Sequence, residues 1–184
     1  MLFRSKHIEV FPKGEVWTRE NVYKICSFCY FIYTDPDLNE KDRVIYYRNL
    51  LIEDPNKHYK ESSRSIIHFN IFRNLVDKNI FNLNSKILEI GCGTGHLLKN
   101  IINFYKLKKD NVFGIELSKI LLNFLKKKKI FNILNKLPKK NKYFNLIILD
   151  NVFEHFADPN LELKKIHYLL SDNGFVRSEE HTSE

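Results

Sequence analysis

From Ser85 onward, short apolar runs alternate with amphipathic stretches. Lys86 to Ile90, Asn111 to Ile115 and Phe144 to Leu149 are almost continuously Ile, Leu, Val and Phe, as strands buried on both faces require. Leu97 to Tyr105, Lys119 to Lys128 and Leu161 to Leu170 carry apolar residues three and four apart, which predicts helices, and a further strand begins at Phe175. This alternation predicts an α/β fold, a parallel doubly wound sheet with helices on both faces. Upstream, Leu38 to Leu51 reads as helix. So does Ser62 to Phe81, with Ile66, Phe69, Leu75, Val76 and Ile80 as its apolar stripe. Ile8 to Tyr33 is aromatic and β-branched with a turn signal at Gly14, so short strands are expected there. The polar run Thr34-Asp35-Pro36-Asp37 closes that segment.

Length bounds the number of cores. At 184 residues and 43% hydrophobic, the chain supports one domain and an appendage. The longest apolar candidate, Phe144 to Phe156, is interrupted by Asp150 and Glu154, so no membrane span is expected. Without a basic region followed by a smooth apolar stretch at the start, a cytoplasmic location is the expectation. The net charge of +8 suggests a nucleic-acid partner, but the rest of the composition argues against one. Ala157 is the only alanine, glutamine is absent, and Lys, Asn, Ile and Phe abound, which is the imprint of AT-rich coding. Lys126 to Lys129 and the pair Lys139, Lys140 are then solvated helix-end and loop lysines, not a basic face.

Both ends carry a signal of another kind. Arg177 to Glu184 back-translates to AGATCGGAAGAGCACACGTCTGAA, which resembles a sequencing-library adapter. Leu2 to Ser5 back-translates to CTCTTCCGATCT, the reverse complement of the stretch encoding Arg177 to Glu180. The expectation is that residues 1–5 and 177–184 are adapter-derived and that the natural chain, Lys6 to Val176, continues at both ends. Genomic reads primed outward from inside that stretch test this, and recovery of the same end residues would refute it.

The most specific motif is Glu89-Ile90-Gly91-Cys92-Gly93-Thr94-Gly95, set between a strand end and a helix start. Glycines there let the backbone turn sharply and admit a ligand without a Cβ in the way, while the helix N-terminus favours an anion. A dinucleotide fingerprint would place its third glycine or an alanine at His96. Twenty-one residues beyond Gly95, a strand ends in Glu116, followed by Leu117. A carboxylate so placed can accept hydrogen bonds from both hydroxyls of a ribose.

The spacing G-x-G-x-G, with an acid two residues before it, resembles motif I of the class I S-adenosylmethionine-dependent methyltransferases. Tyr143 to Pro159, which contains Asp150-Asn151 and Glu154-His155, looks like that family's fourth strand and following loop, with Asn145 where Asp is usual. Leu169 to Phe175 resembles the turn into the fifth strand, so the likeness covers Ser85 to Val176. It implies a Rossmann-like fold cut within its fifth strand and S-adenosylmethionine as cofactor. It also implies that Glu89, Gly91, Cys92, Gly93, Thr94, Gly95, Glu116, Leu117, Asp150 and Asn151 form the donor site. For the adenine, residues Ile130 to Leu137 offer only Asn132 and Asn135, and Asn132 is the candidate. His155 is the candidate base, oriented by Glu154, for an acceptor whose proton must leave; the alternative is that the pair only fixes the loop. Tyr46, Tyr47 and Tyr59 are either acceptor-site lining or core.

Val22 to Pro36, with Cys26-x-x-Cys29, looks like the second half of a zinc ribbon found ahead of some of these enzymes, including sugar C-methyltransferases; Tyr30 replaces a glycine. Two cysteines supply half of a structural zinc site, so zinc is expected only in a full-length protein, and His7 reads as a surface residue. The resulting division is a partial ribbon over 6–37, a helical segment over 38–84 and a truncated donor-binding domain over 85–176. The fragment itself is expected to be poorly stable and inactive. The expected partner is a small-molecule acceptor, with C- or O-methylation of a nucleotide-linked sugar first. Alternatives are O-methylation of a quinone or lipid precursor, a ribosomal RNA methyltransferase, a non-catalytic nucleotide-binding module, and a nicotinamide-dependent oxidoreductase last. Oligomeric state is not legible.

Overall fold

The computed structural model describes residues 5–10, 22–26, 32–34, 40–49, 55–56, 63–75, 81–156 and 158–179. They fall in two units, Met1–Asn39 and Glu40–Glu184. In the first, β1 (Ser5–Val10), β2 (Val22–Cys26) and β3 (Ile32–Thr34) form an antiparallel sheet in that order, with Lys6 opposite Ile25 and Ile25 opposite Ile32. The strands expected between Ile8 and Tyr33 are thus present. Cys26 ends β2, while Cys29 lies outside the described residues, so the ribbon pairing does too.

The second unit opens with helices α1 (Glu40–Asn49) and α2 (Ser63–Leu75). It continues through β4 (Ile87–Ile90), α3 (His96–Tyr105), β5 (Val112–Ile115), α4 (Lys119–Lys128) and β6 (Asn132–Leu134). It closes with β7 (Phe144–Asp150), α5 (Pro159–Leu169) and β8 (Leu170–Glu179). The five strands are parallel in the order β6-β5-β4-β7-β8. This is the Rossmann-like doubly wound sheet expected, and its strand order reverses between β4 and β7, where such folds bind ligands.

Strand alternation divides the core between the two faces. Ile87, Leu146 and Ile148 pack with Phe72 of α2, with Leu97, Leu98 and Ile101 of α3, and with Phe124 and Leu125 of α4. Leu88, Ile90, Ile147 and Leu149 pack with Ile166 and Leu169 of α5. Helix ends follow their sequences. Ser118 caps α4, its hydroxyl accepting from the Leu121 N–H, and Lys126, Lys127 and Lys128 stand at the C-terminal end where the helix dipole favours cations. Asp158 caps α5 ahead of Pro159 at its first turn. Asn145, the departure from the usual Asp, uses its amide: Oδ1 accepts from the Lys86 N–H at 2.8 Å and Nδ2 reaches Ser171 Oγ at 3.4 Å.

Three expectations shift. Helix α2 buries Phe72 and leaves Ile66 54% exposed, so its inward stripe runs through Phe69 and Phe72. Phe81 is not helical but packs in the core against Phe72 and Tyr105. Strand β6 was not anticipated, because three residues are too few to show a period. Regular pairing of β8 begins at Phe175 opposite Leu146, as expected, and runs to Glu179 opposite Asp150. No helix among the described residues is long and apolar enough to cross a membrane.

Candidate active site

The site lies where β4, β5 and β7 end. Gly91, Gly93 and Gly95 all have positive φ, at 72°, 53° and 74°. A Cβ on Gly95 would sit 2.5 Å from Phe131 Cζ, and one on Gly91 would sit 2.4 Å from Val152 Cγ2. At Gly93 nothing lies within 4 Å of that point, so the middle of the loop is the place a ligand can approach. The loop is tied to β5: the Gly91 and Cys92 N–H groups both donate to the Ile115 carbonyl, at 2.8 and 2.9 Å. Thr94 is half-buried on the same loop.

Glu116, one residue past β5, is buried, yet three backbone groups donate to it. Oε2 accepts from Gly93 N–H at 2.9 Å; Oε1 accepts from Leu117 N–H at 2.7 Å and Ser118 N–H at 2.8 Å. Burial raises its pKa, and these three hydrogen bonds pull the other way. Glu89 on β4 is more deeply buried, and its Oε2 has no hydrogen-bond partner. Burial first, then the charge of Asp150, pushes its pKa well up; Arg177 opposes this and Glu116 adds to it. Beside these carboxyls, burial also holds Cys92 as a neutral thiol, with the Glu89 and Glu116 charges adding to the effect. A Cβ on Gly114 would come within 2.7 Å of that sulfur.

At the end of β7, Asp150 Oδ2 receives a 2.7 Å hydrogen bond from His68 Nδ1 of α2. Asp150 Oδ1 accepts none; Arg177 Nη1 is 3.7 Å from it. Asn151 follows with φ of 53°, its N–H donating to the Glu179 carbonyl and its Oδ1 buried without a partner. The next turn, Phe153–His155, carries Glu154 and His155, whose Oε1 and Nε2 are 3.8 Å apart. His155 is about half-exposed, and the Tyr47 ring of α1 lies 5.5 Å from its ring. Tyr59 is outside the described residues, as is the side chain of Tyr46.

Asn132 is not part of this constellation. It opens β6, next to the start of β5 and so at the other end of the strands from the site, and its Nδ2 donates to the carbonyls of Lys109, Asp110 and Val112, which use it as a structural clip. His68 is the residue that sequence reasoning missed: a histidine 82 positions from Asp150 on a helix gives no local sign of the pairing.

Residues 49–184 match the family described as Methyltransferase domain. The chain belongs to that family. A malonyl-[acyl-carrier protein] O-methyltransferase of Priestia megaterium is 30% identical over 123 residues, which cover 63% of this chain and 43% of that protein. The chain therefore spans less than half the length of this curated relative. Among solved structures, the plantazolicin methyltransferase BpumL, in complex with a pentazolic desmethylPZN analogue and SAH, aligns at a TM-score of 0.54 and 21% identity, over 67% of this chain and 49% of that one. Coclaurine N-methyltransferase, bound to N-methylheliamine and SAH, aligns at 0.52 and 20%, over 62% and 35%.

Both of these solved neighbours are bound to SAH, and the ligand this reading implies here is S-adenosylmethionine. The residues present fit it: the open approach at Gly93 admits a ligand, and the oxygens of Glu89 and Asp150 that accept no hydrogen bond suit a cationic one. Burial of Glu89 has a measurable cost in its absence. A carboxyl whose folded pKa is raised adds stability below its unfolded value, near 4.5, and loses it as pH rises towards the folded value. Glu89→Gln should therefore raise the melting temperature of the ligand-free protein at pH 8 more than at pH 5. Equal shifts at both would show that Glu89 is already ionised.

Proposed function

We propose that this domain transfers a methyl group from S-adenosylmethionine to an oxygen of a small acceptor, either a carboxylate or a hydroxyl. The observation that carries the reading is the similarity to a curated O-methyltransferase, 30% identical over 123 residues, together with the methyltransferase-domain match over residues 49–184. When bound, the cofactor supplies an electrophilic methyl on a sulfonium, and in-line displacement needs alignment and exclusion of water more than it needs acid or base. The glycine loop and Glu116 would hold the nucleoside, with Leu117 beside it. Glu89, Asp150 and Asn151 would meet the cationic amino-acid end.

A carboxylate acceptor arrives already ionised, whereas a hydroxyl must lose its proton as the O–CH3 bond forms. For a hydroxyl, His155 is the group that takes it, exposed enough to meet an acceptor and with Glu154 and Tyr47 beside its ring. In the full-length gene product His155→Ala should slow turnover about a hundredfold on a hydroxyl acceptor and leave donor affinity intact. Unchanged turnover would remove His155 from the mechanism. The nucleotide-linked sugar rests on the Cys26-x-x-Cys29 pattern alone, so it stands behind the oxygen acceptors. Label transfer from S-adenosylmethionine to a malonyl thioester or a hydroxyl compound supports the proposal. Transfer to carbon of a nucleotide-linked sugar would overturn it.

A further inference from the structure

Helix α2 precedes the sheet in the chain, yet it delivers a side chain to the end of β7. Phe72, fully buried, and Phe69, packed edge-on to Phe104 at 5.5 Å, seat the helix against the core beside α3. That seating holds His68 with only 12% of its side chain exposed, and its Nδ1 meets Asp150 Oδ2 at 2.7 Å. The Asp150 carboxylate is thereby oriented through one oxygen. The other, Oδ1, is buried and accepts no hydrogen bond, with Arg177 Nη1 beside it at ion-pair distance, 3.7 Å. A buried carboxylate oxygen without a donor is costly unless a ligand completes it.

We propose that His68 is a positioning residue of the donor site: it holds Asp150 through Oδ2 so that Oδ1, which accepts no hydrogen bond, can take the ammonium of the donor's amino-acid end alongside Arg177. Helix α2 then belongs to the binding site, and its docking is a condition for tight donor binding. This rests on the donor-site reading above.

The test is calorimetric titration of the full-length gene product with two probes. S-adenosylhomocysteine carries the amino-acid end; 5′-methylthioadenosine has the same nucleoside and lacks that end. His68→Ala should weaken the first by about tenfold to thirtyfold, as loss of a charge-assisted hydrogen bond implies, and leave the second unchanged. His68→Asn, whose amide can still donate to Oδ2, should recover most of the loss. An equal loss for both probes would mean that His68 merely stabilises the fold, and no loss for either would mean that it does not orient Asp150; both overturn the inference. Failure of the unaltered protein to bind either probe would instead sink the donor-site reading.

Discussion

Glu116→Ala should weaken S-adenosylhomocysteine binding by about a hundredfold or more, the largest effect expected from any single side chain of the site. Two separate losses add. The first is direct: three backbone N–H groups leave Oε2 one acceptor site for a ribose hydroxyl, a charge-assisted bond expected to contribute about 1.5–3 kcal/mol, or about tenfold to a hundredfold in affinity. The second is architectural, because the N–H groups of Gly93, Leu117 and Ser118 all lose their acceptor and the glycine loop loses its tie to the residue after β5. Glu116→Gln should fall between, since the amide oxygen can still take Leu117 and Ser118 while the amide nitrogen faces the Gly93 N–H as a second donor. Calorimetric titration of the three proteins checks the order. An alanine variant that binds like the parent would place the nucleoside elsewhere.

The second large effect separates stability from binding within one loop. Gly95→Ala should lower the melting temperature by about 4–20 °C. A left-handed residue with a Cβ costs about 1–2 kcal/mol and overpacking about 1–3 kcal/mol, at about 2–4 °C per kcal/mol for a chain of this length. The clash is with the ring of Phe131 and with Leu125 Cδ2 at 2.9 Å, both packed in the core. Gly93→Ala carries the same backbone cost but meets no neighbour. It should lose only a few degrees, yet weaken S-adenosylhomocysteine at least tenfold, because its methyl enters the space left for the ligand. Thermal melts and titrations of both variants read the contrast. A Gly93→Ala protein with undiminished affinity would show that the ligand does not approach there.

What could be read from the chain was whatever sits on one local segment. The glycine loop and Glu116 were visible because each belongs to a strand end and the turn just beyond it, where spacing alone sets the geometry. Apart from β6, the order of strands and helices after Ser85 was equally visible, since buried parallel strands are written as apolar runs. Asn132 was misplaced because β6 has three residues, so whether a position falls at its start or its ligand-facing end depends on a boundary that no periodicity marks. His68 was invisible for the opposite reason. Its partner is set by how α2 packs through Phe69 and Phe72, and in the sequence a polar residue on that helix looks solvent-facing. Tyr47 stood between these cases: its placement beside the acceptor side was one of two readings, and its ring does lie against His155.

The contact between Cys92 and Gly114 has a use in kinetics. Since the thiol is buried and kept protonated, a sulfhydryl reagent can reach it only when the loop lifts from β5 and the Gly91 and Cys92 N–H groups release the Ile115 carbonyl. The rate at which Cys92 is alkylated, read separately from Cys26 and Cys29 by peptide mass, therefore counts the openings of this one turn. It reports how often the loop breathes without any engineered label.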